Sequence, residues 1–551
     1  MSSLTSYSSE SSQADGDPLA QRVQAAVYRS GWGGLSRRRA WPAAAGLTDE
    51  CTALAEEWRS ADADGEAQLL EAFTRCARHM GEANCDELVG VVLSYDFLHG
   101  ERCDELFRSF AMNLVTSNAR YVEPVLLALV RKFQVESAAA LRAVHATVAA
   151  VLELYPSATV ALERCVERVF PHSSRSAGEL ERHVRACLQT LEYAPRCTAF
   201  VVTCVVWRLV ELDLEAVHAA KSVGSEDADL FEMDRELRPI EPAAGEANVD
   251  IATEALPAAK LDACLDHFLG YCAACEIGAQ ETVCAALLDA TERHLLPTPR
   301  TRHVQFALLV FVGSAEGRLT EVMLRRLLSL LADPLAARSS RVSAALYGSS
   351  LVASSRAVSA ESAARWVTAL ATWLHWYLEG ASAVGSDWRQ VAEQHLVFYA
   401  VTGALVYAIV SRCEDLTLSE AGRERLRSLR LARLLRSPME PLRMLPTALT
   451  RAFGATLSGR QVLDLSDMES TEAETLALEL FYPFEEYSLP LSVRHVRQHH
   501  RQMGGQGDPA DEIDTLTSQE ARGRRISWYG MANREQSWLA GMPSFTPPAY
   551  L

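Results

Sequence analysis

Apolar positions recur with the period of an α-helix along most of the chain. Val122, Val125, Leu126, Leu129, Val130 and Phe133 step as i, i+3, i+4, i+7, i+8 and i+11, and Leu180, His183, Val184, Cys187, Leu188 and Leu191 repeat those offsets. Each set therefore falls on one face of a helix. Breaks at Tyr155-Pro156-Ser157, Phe170-Pro171-His172-Ser173-Ser174, Ala194-Pro195 and Leu296-Pro297-Thr298-Pro299 separate such segments. Each break joins a proline, which cannot continue a helix, to a potential capping residue. No strict alternation lasts long enough to build a sheet, so the predicted class is all-α.

Helices joined by short turns leave two architectures, a bundle and an α-solenoid. Single hydrophobic cores stop growing at roughly 250–300 residues, which favours a solenoid of antiparallel helix pairs over residues 48–497. The clearest unit is 319–352. Its first helix should bury Leu319, Val322, Met323, Leu327, Leu328 and Leu331, stop at Asp333-Pro334, and give way to a second helix through Arg341, Ala344, Ala345 and Gly348. An Asp-Pro turn with a later arginine, and small residues where helices approach closely, resembles a HEAT repeat. Seven serines near the start mark residues 1–18 as a disordered tail, 19–47 as a partly ordered segment, and 498–551 as a flexible C-terminal tail.

Charge adds one feature to this pattern. The 551 residues carry 53 Lys+Arg against 71 Asp+Glu, a formal charge of −18, which argues against a histone-like coat on nucleic acid. Residues 213–256 are strongly acidic, from Asp213 to Glu254, and interrupt the helical pattern. The reading is an acidic flexible loop, either a solvated linker or a docking strip for a basic partner. No window reaches the ~18 uncharged apolar residues of a spanning helix; the fifteen residues Leu396 to Val410 read as a buried helix. With no secretory pattern at the start, a soluble, intracellular protein without a membrane partner is expected.

The search for chemistry finds no nucleophile, acid/base pair or phosphate loop that would make an enzyme, so neither catalysis nor a cofactor is expected. Cys264, Cys272, Cys275 and Cys284 lack the turn-rich knuckles of a zinc site, so no metal is expected either. His499 and His500 read as solvated, and Trp366, Trp373, Trp376 and Tyr377 as core. The run Arg423, Arg425, Arg427, Arg430, Arg433 and Arg436, interleaved with Leu426, Leu429 and Leu434, gives one helix a cationic face. That face is either solvated or turned to DNA or an acidic partner.

Several segments together resemble one family, the RNA polymerase I-specific transcription initiation factors, called TIF-IA in animals. They are LLPTPRTRHVQF at 295–306, the Asp333-Pro334 turn with Arg341, WLHWYL at 373–378, FYAVTGALVYAIVSR at 398–412, EPLRMLP at 440–446 and FYPFEEYSL at 481–489. YVEPVLLALVRKF at 121–133 and LFEMDRE at 230–236 also fit. The sequence departs from the family at Glu440, where the family has asparagine, and lacks the acidic insert that animal members carry after the YVEP helix.

The resemblance implies a HEAT-repeat adaptor in the nucleus and nucleolus that binds RNA polymerase I through its stalk subunits. It would render the polymerase initiation-competent and bridge it to the promoter-bound core factor at ribosomal DNA. Weak DNA contact and a homodimeric free form are further expectations. A serine-rich polymerase-facing surface switched by phosphorylation corresponds here to Ser157, Ser173, Ser174 and Ser176. For Ser157 a helix N-cap is the competing reading. Ser527, after Arg524-Arg525-Ile526, is a candidate phosphosite in the tail. A generic HEAT-repeat scaffold with another partner is the alternative.

Overall fold

The structure, a computed structural model, describes residues 18–36, 49–80, 85–97, 100–230, 256–298, 301–380, 388–460, 462, 478 and 480–501. Secondary structure among them is helical, with no strand and one isolated bridge between Ser355 and His500. No single described helix is long and apolar enough to cross a membrane. The chain divides into two units, residues 1–175 with 179–201, and residues 176–178 with 202–551.

The first unit holds α1 (Pro18–Ser36), α2 (Asp49–Ser60), α3 (Ala63–Met80), α4 (Asp86–Val92), α5 (Glu101–Ser117), α6 (Val122–Arg131), α7 (Ala138–Leu154), α8 (Thr159–Val169) and most of α9 (Ala177–Gln189). α1, α3, α5 and α7 pack successively in one row, and α6 packs on α8 in another. The helical stripes account for this. Val125, Leu126, Leu129 and Val130 are fully buried on one side of α6, while Glu123 and Arg131 stay in water on the other. Each such side chain contributes roughly 1.5–3 kcal/mol by leaving water. Ser137 Oγ accepts the Ala140 N–H at 3.3 Å and so starts α7.

α10 (Thr198–Leu230) leads into the second unit. There follow α11 (Pro257–Ala273), α12 (Gln280–Ala290), α13 (Phe306–Ser314), α14 (Thr320–Ala332), α15 (Arg338–Ser354), α16 (Ala360–Gly380), α17 (Trp388–Gln394), α18 (Leu396–Ser411), α19 (Cys413–Thr417), α20 (Glu420–Ser428), α21 (Leu431–Leu435), α22 (Thr447–Gly459) and α23 (Val493–Arg497). α12, α14 and α16 pack in sequence as one row; α11 on α13, α15 on α18 and α18 on α22 form the second. The unit expected at 319–352 is present as α14 and α15. Asp333 ends the first helix, its Oδ1 accepting the Leu335 N–H at 2.9 Å, and buried Arg341 donates Nε–H to the Leu331 carbonyl at 2.8 Å. Val322, expected inside, is instead 47% exposed, at the margin of the stripe.

α15 and α18 are buried almost all round, which two rows of helices alone would not require. The reason is a third layer. Residues 480–501 return as a strap across the second row. Tyr482 stacks on Tyr407 with ring centroids 3.7 Å apart and donates to Gly403 O; Phe484 packs edge-on to Tyr347 and Phe306; Gln305 Nε2 donates to Pro483 O at 2.9 Å. The strap's last turn is held by Asp262 of α11, which accepts the N–H groups of Leu491 at 2.8 Å and Ser492 at 2.9 Å.

Three expectations are corrected. The acidic segment does not begin at 213: α10 continues to Leu230, and Asp213 is fully buried because its carboxylate is satisfied by hydrogen bonds. His500 is fully buried and His499 half-buried, so neither belongs to a solvated tail; His500 Nε2 lies 2.6 Å from Phe484 O. The flexible tail therefore cannot start at 498. The run Arg423 to Arg436 is not one helix, since Arg430 adopts a left-handed backbone (φ 52°) between α20 and α21. Residues 1–17, 231–255 and 502–551, with Ser527, lie outside the described residues.

Candidate interaction surfaces

Ser157 occupies a one-turn 3-10 segment, Pro156–Ala158, that joins α7 to α8. Pro156 fixes the turn, and Ala158 N–H closes it on Tyr155 O at 2.9 Å. Neither this turn nor α8 has a side-chain cap. The capping reading of Ser157 is corrected accordingly: the turn closes on its own backbone, and the serine is exposed between two uncovered apolar residues, Leu154 (43%) and Val160 (58%). Exposed large apolar side chains beside a polar hydroxyl suit a protein contact.

The remaining serines sit at the other end of α8. Ser174 is exposed, with Oγ 3.1 Å from His172 Nδ1 and its N–H donated to the same nitrogen at 3.2 Å; Ser173 is half-buried and Ser176 exposed. α8 is eleven residues, about 16 Å. Ser157 is thus not brought together with Ser173 and Ser174 at one spot.

The arginine run is largely consumed by carboxylates. Arg423 and Arg427 both bond Glu420 and hold its carboxyl below the usual range. Arg427 also reaches Glu424 at 3.2 Å, Arg425 pairs with Glu361 of α16 at 2.9 Å, and Arg433 lies 3.9 Å from Glu379. Arg430 and Arg436 have no carboxylate partner among the described residues. The sequence showed the cations but hid Glu361 and Glu379, which arrive from another helix. Between α16 and α19–α20 lies a small groove of about 140 Å³ over Val367, Leu416 and Leu426, too slight for a substrate site.

Other titratable groups are structural. Arg412 is buried and donates to Val352 O (2.7 Å), Val358 O (2.9 Å) and Asp415 (2.7 Å), tying the ends of three helices; burial lowers its pKa. Burial pushes the Arg341 pKa down to about 10 and the Cys284 thiol up to about 11. Trp366 and Trp373 are fully buried in α16. Among the described residues no group of three or more His, Cys, Asp or Glu side chains could hold a metal ion. Sequence reasoning missed the two buried carboxylates, Asp213 and Asp262, that anchor the 301–306 turn and the strap. No local signal in the sequence marks them, because the partners they hold, His303 and Ser492, lie 90 and 230 residues away along the chain.

Comparison with known proteins bears on the whole scaffold. The tif-1A protein of Caenorhabditis elegans, an RNA polymerase I-specific transcription initiation factor, is 22% identical over 536 residues, covering 85% of this chain and 80% of the relative. The rrn3 protein of Schizosaccharomyces pombe, of the same description, is 22% identical over 560 residues, covering 93% and 92%. The crystal structure of RNA polymerase I transcription initiation factor Rrn3 superposes with a TM-score of 0.63 at 15% identity, over 88% of this chain and 98% of that one, which establishes the shared fold. The model of the RRN3 family, RNA polymerase I specific transcription initiation factor RRN3, matches residues 45–504, from before α2 to just past the strap. The chain therefore belongs to the family of RNA polymerase I specific transcription initiation factors.

Proposed function

We propose that this protein binds RNA polymerase I, renders it initiation-competent and bridges it to the promoter-bound core factor at ribosomal DNA, acting in the nucleolus. The observation that carries the reading is the extent of the family match: it runs over residues 45–504 and so takes in both units and the strap, where a shared helical repeat alone would match a part. The two relatives are both described as RNA polymerase I-specific transcription initiation factors. A scaffold of stacked helices presents surface in place of a catalytic pocket, which suits an adaptor.

In this reading the polymerase contact lies on the first unit around Ser157, with Ser173, Ser174 and the adjoining Ser176 as further phosphorylation positions. A phosphate brings ≈ −1.5 to −2 charges, which at Ser157 would sit between Leu154 and Val160 and oppose an apolar contact. Any weak DNA contact by the arginine run falls to Arg430 and Arg436, the two without carboxylate partners. Affinity purification of the full chain from nuclear extract, with subunit identification, should recover polymerase I including its stalk. Recovery of other partners without polymerase I subunits would overturn the reading in favour of a generic scaffold.

A further inference from the structure

The end of the strap closes on the second row through two adjacent imidazoles. His499 fits against the last turn of α13, where Gly313 leaves the room: a Cβ there would overlap the ring. Its Nε2 lies 3.0 Å from Gln498 Nε2, an N–H donor, and 3.4 Å from Ser314 Oγ, so this nitrogen accepts and the ring is neutral. His500 is fully buried beside Phe306, and its Nε2–H is donated to Phe484 O at 2.6 Å. The backbone joins at the same place. Arg356 N–H donates to His499 O at 2.9 Å and Arg501 N–H to Ser354 O at 2.8 Å, where α15 turns towards α16.

The surroundings of these two rings disfavour a proton. Burial lowers the pKa of both from the ordinary 6.5; Arg356 of the turn opposes their charge as well, as His495 does for His499, and the Phe484 carbonyl counters the shift at His500 only in part. α13 brings no charged side chain. The acids nearby are engaged by other cations: Asp415 by Arg412 and Arg501, and Asp266 of α11 by Arg494 and His495. The rest of the strap is held otherwise. Asp262 takes the N–H groups of Leu491 and Ser492 without an imidazole, and a proton arriving at His303 or His495 would meet Asp213 or Asp266.

We propose that residues 496–501 form a proton-operated latch, which undocks from α13 and the α15–α16 turn in mild acid while residues 482–492 stay in place. Above pH 6.5 both rings are neutral whether docked or free, and the latch is closed. Below 6.5 the free end takes up protons that the docked end refuses, so docking weakens as pH falls. A ring that stays neutral when docked and behaves ordinarily when free weakens docking about tenfold at pH 5.5, and here two rings act together.

Hydrogen exchange of the full chain, resolved to single amides by fragmentation in the mass spectrometer, reads the latch at Arg356 and Arg501 and the anchored part at Leu491 and Ser492. With exchange times scaled to the intrinsic rate at each pH, protection at Arg356 and Arg501 should fall at least about fivefold between pH 7.5 and pH 5.5, with Leu491 and Ser492 unchanged. The double variant His499→Gln with His500→Gln, which keeps a polar side chain that does not titrate at each position, should hold both latch amides protected at pH 5.5. A smaller loss at Arg356 and Arg501, an equal loss at Leu491 and Ser492, or pH dependence that persists in the double variant would overturn the proposal. If the double variant is already unprotected at pH 7.5, deuterium exchange at the imidazole C2 positions of the unaltered chain decides instead: His499 and His500 should titrate below 6.5, and titration of either at or above that value would overturn the latch.

Discussion

Asp213 grips His303 twice: its Oδ2 accepts the histidine's backbone N–H at 2.9 Å, and its Oδ1 faces the ring Nδ1 at 3.1 Å. The same Oδ2 takes the Arg302 N–H at 2.8 Å, and His303 Nε2 continues to Ser488 Oγ of the strap at 3.1 Å. One buried carboxylate on α10 thus fixes the turn that starts α13 and, through the ring, the strap above it.

Removing that carboxylate leaves buried N–H donors without an acceptor. Asp213→Ala should destabilise the second unit by about 2–4 kcal/mol, and Asp213→Asn, which keeps one acceptor, by less. Urea denaturation followed by tryptophan fluorescence reads both. Equal, small losses would mean that water replaces the carboxylate.

Stability should also fall in mild acid. His145 in the first unit and His395 in the second are buried, and burial lowers each pKa from the ordinary 6.5 to about 4, for His395 with help from Arg338. Above pH 6.5 both rings are neutral in folded and unfolded chain, so they contribute nothing to the pH dependence. Between 6.5 and 4 the unfolded chain takes up the proton and the folded one does not, so stability drops as pH falls. At pH 5 the loss is about 2 kcal/mol for each ring. Denaturant midpoints at pH 7 and pH 5 should show this, and His145→Gln should flatten the dependence of the first unit.

How much of this was legible beforehand follows from the range of each interaction. The stripe of α6, the Asp333-Pro334 stop and the buried α18 all follow from contacts within a few residues, and each was read from spacing. The strap was not. Its residues pair with Asp262, Gln305 and Tyr347, more than a hundred positions away, and nothing in the local pattern of 481–501 distinguishes a buried return from a polar tail. His499 and His500 were misread for that reason. The arginine run failed similarly: its neutralising Glu361 and Glu379 belong to α16, so local counting left the cations unpaired. Asp213 was misread by averaging, because one satisfied carboxylate at the head of an acidic stretch looks like the rest.

Ser157 offers a clean separation of charge from stability. Since its hydroxyl caps no helix, Ser157→Ala should leave the denaturation midpoint unchanged, where a lost N-cap would cost ~1 kcal/mol. Ser157→Asp should weaken polymerase capture while Ser157→Ala retains it, as scored by pull-down of purified polymerase I. Equal retention by both would remove Ser157 from the contact.

Glu440 adopts φ 40°, a left-handed conformation costly for a side chain of this type, at the position where the family resemblance expects asparagine. Its exposed pair with Arg443 at 3.2 Å returns little. Glu440→Asn should therefore stabilise the second unit by about 0.5 kcal/mol, because asparagine tolerates this region better. Thermal denaturation of the pair of proteins decides it, and a lower midpoint for the variant would show that the ion pair outweighs the backbone strain.

Gly348 tests the close approach of α15 to α16. In an exposed helix, glycine to alanine gains about 1 kcal/mol from propensity alone. Here a Cβ at 348 would overlap the six-membered ring of Trp366. The ring cannot step aside, because it is fully buried and its Nε1–H is donated to Ser349 Oγ at 2.9 Å, on the next residue of the same helix. Making room would require breaking that bond or spreading the two helices, and overpacking of this kind costs about 1–3 kcal/mol. The strain should exceed the propensity gain, so Gly348→Ala is expected to destabilise the second unit by about 1–2 kcal/mol. Trp366→Phe, which removes the clashing part of the ring, should restore part of that loss in the double variant, though it costs stability alone. A double-mutant cycle measured by urea denaturation checks this, and additive losses would show that the two side chains do not meet.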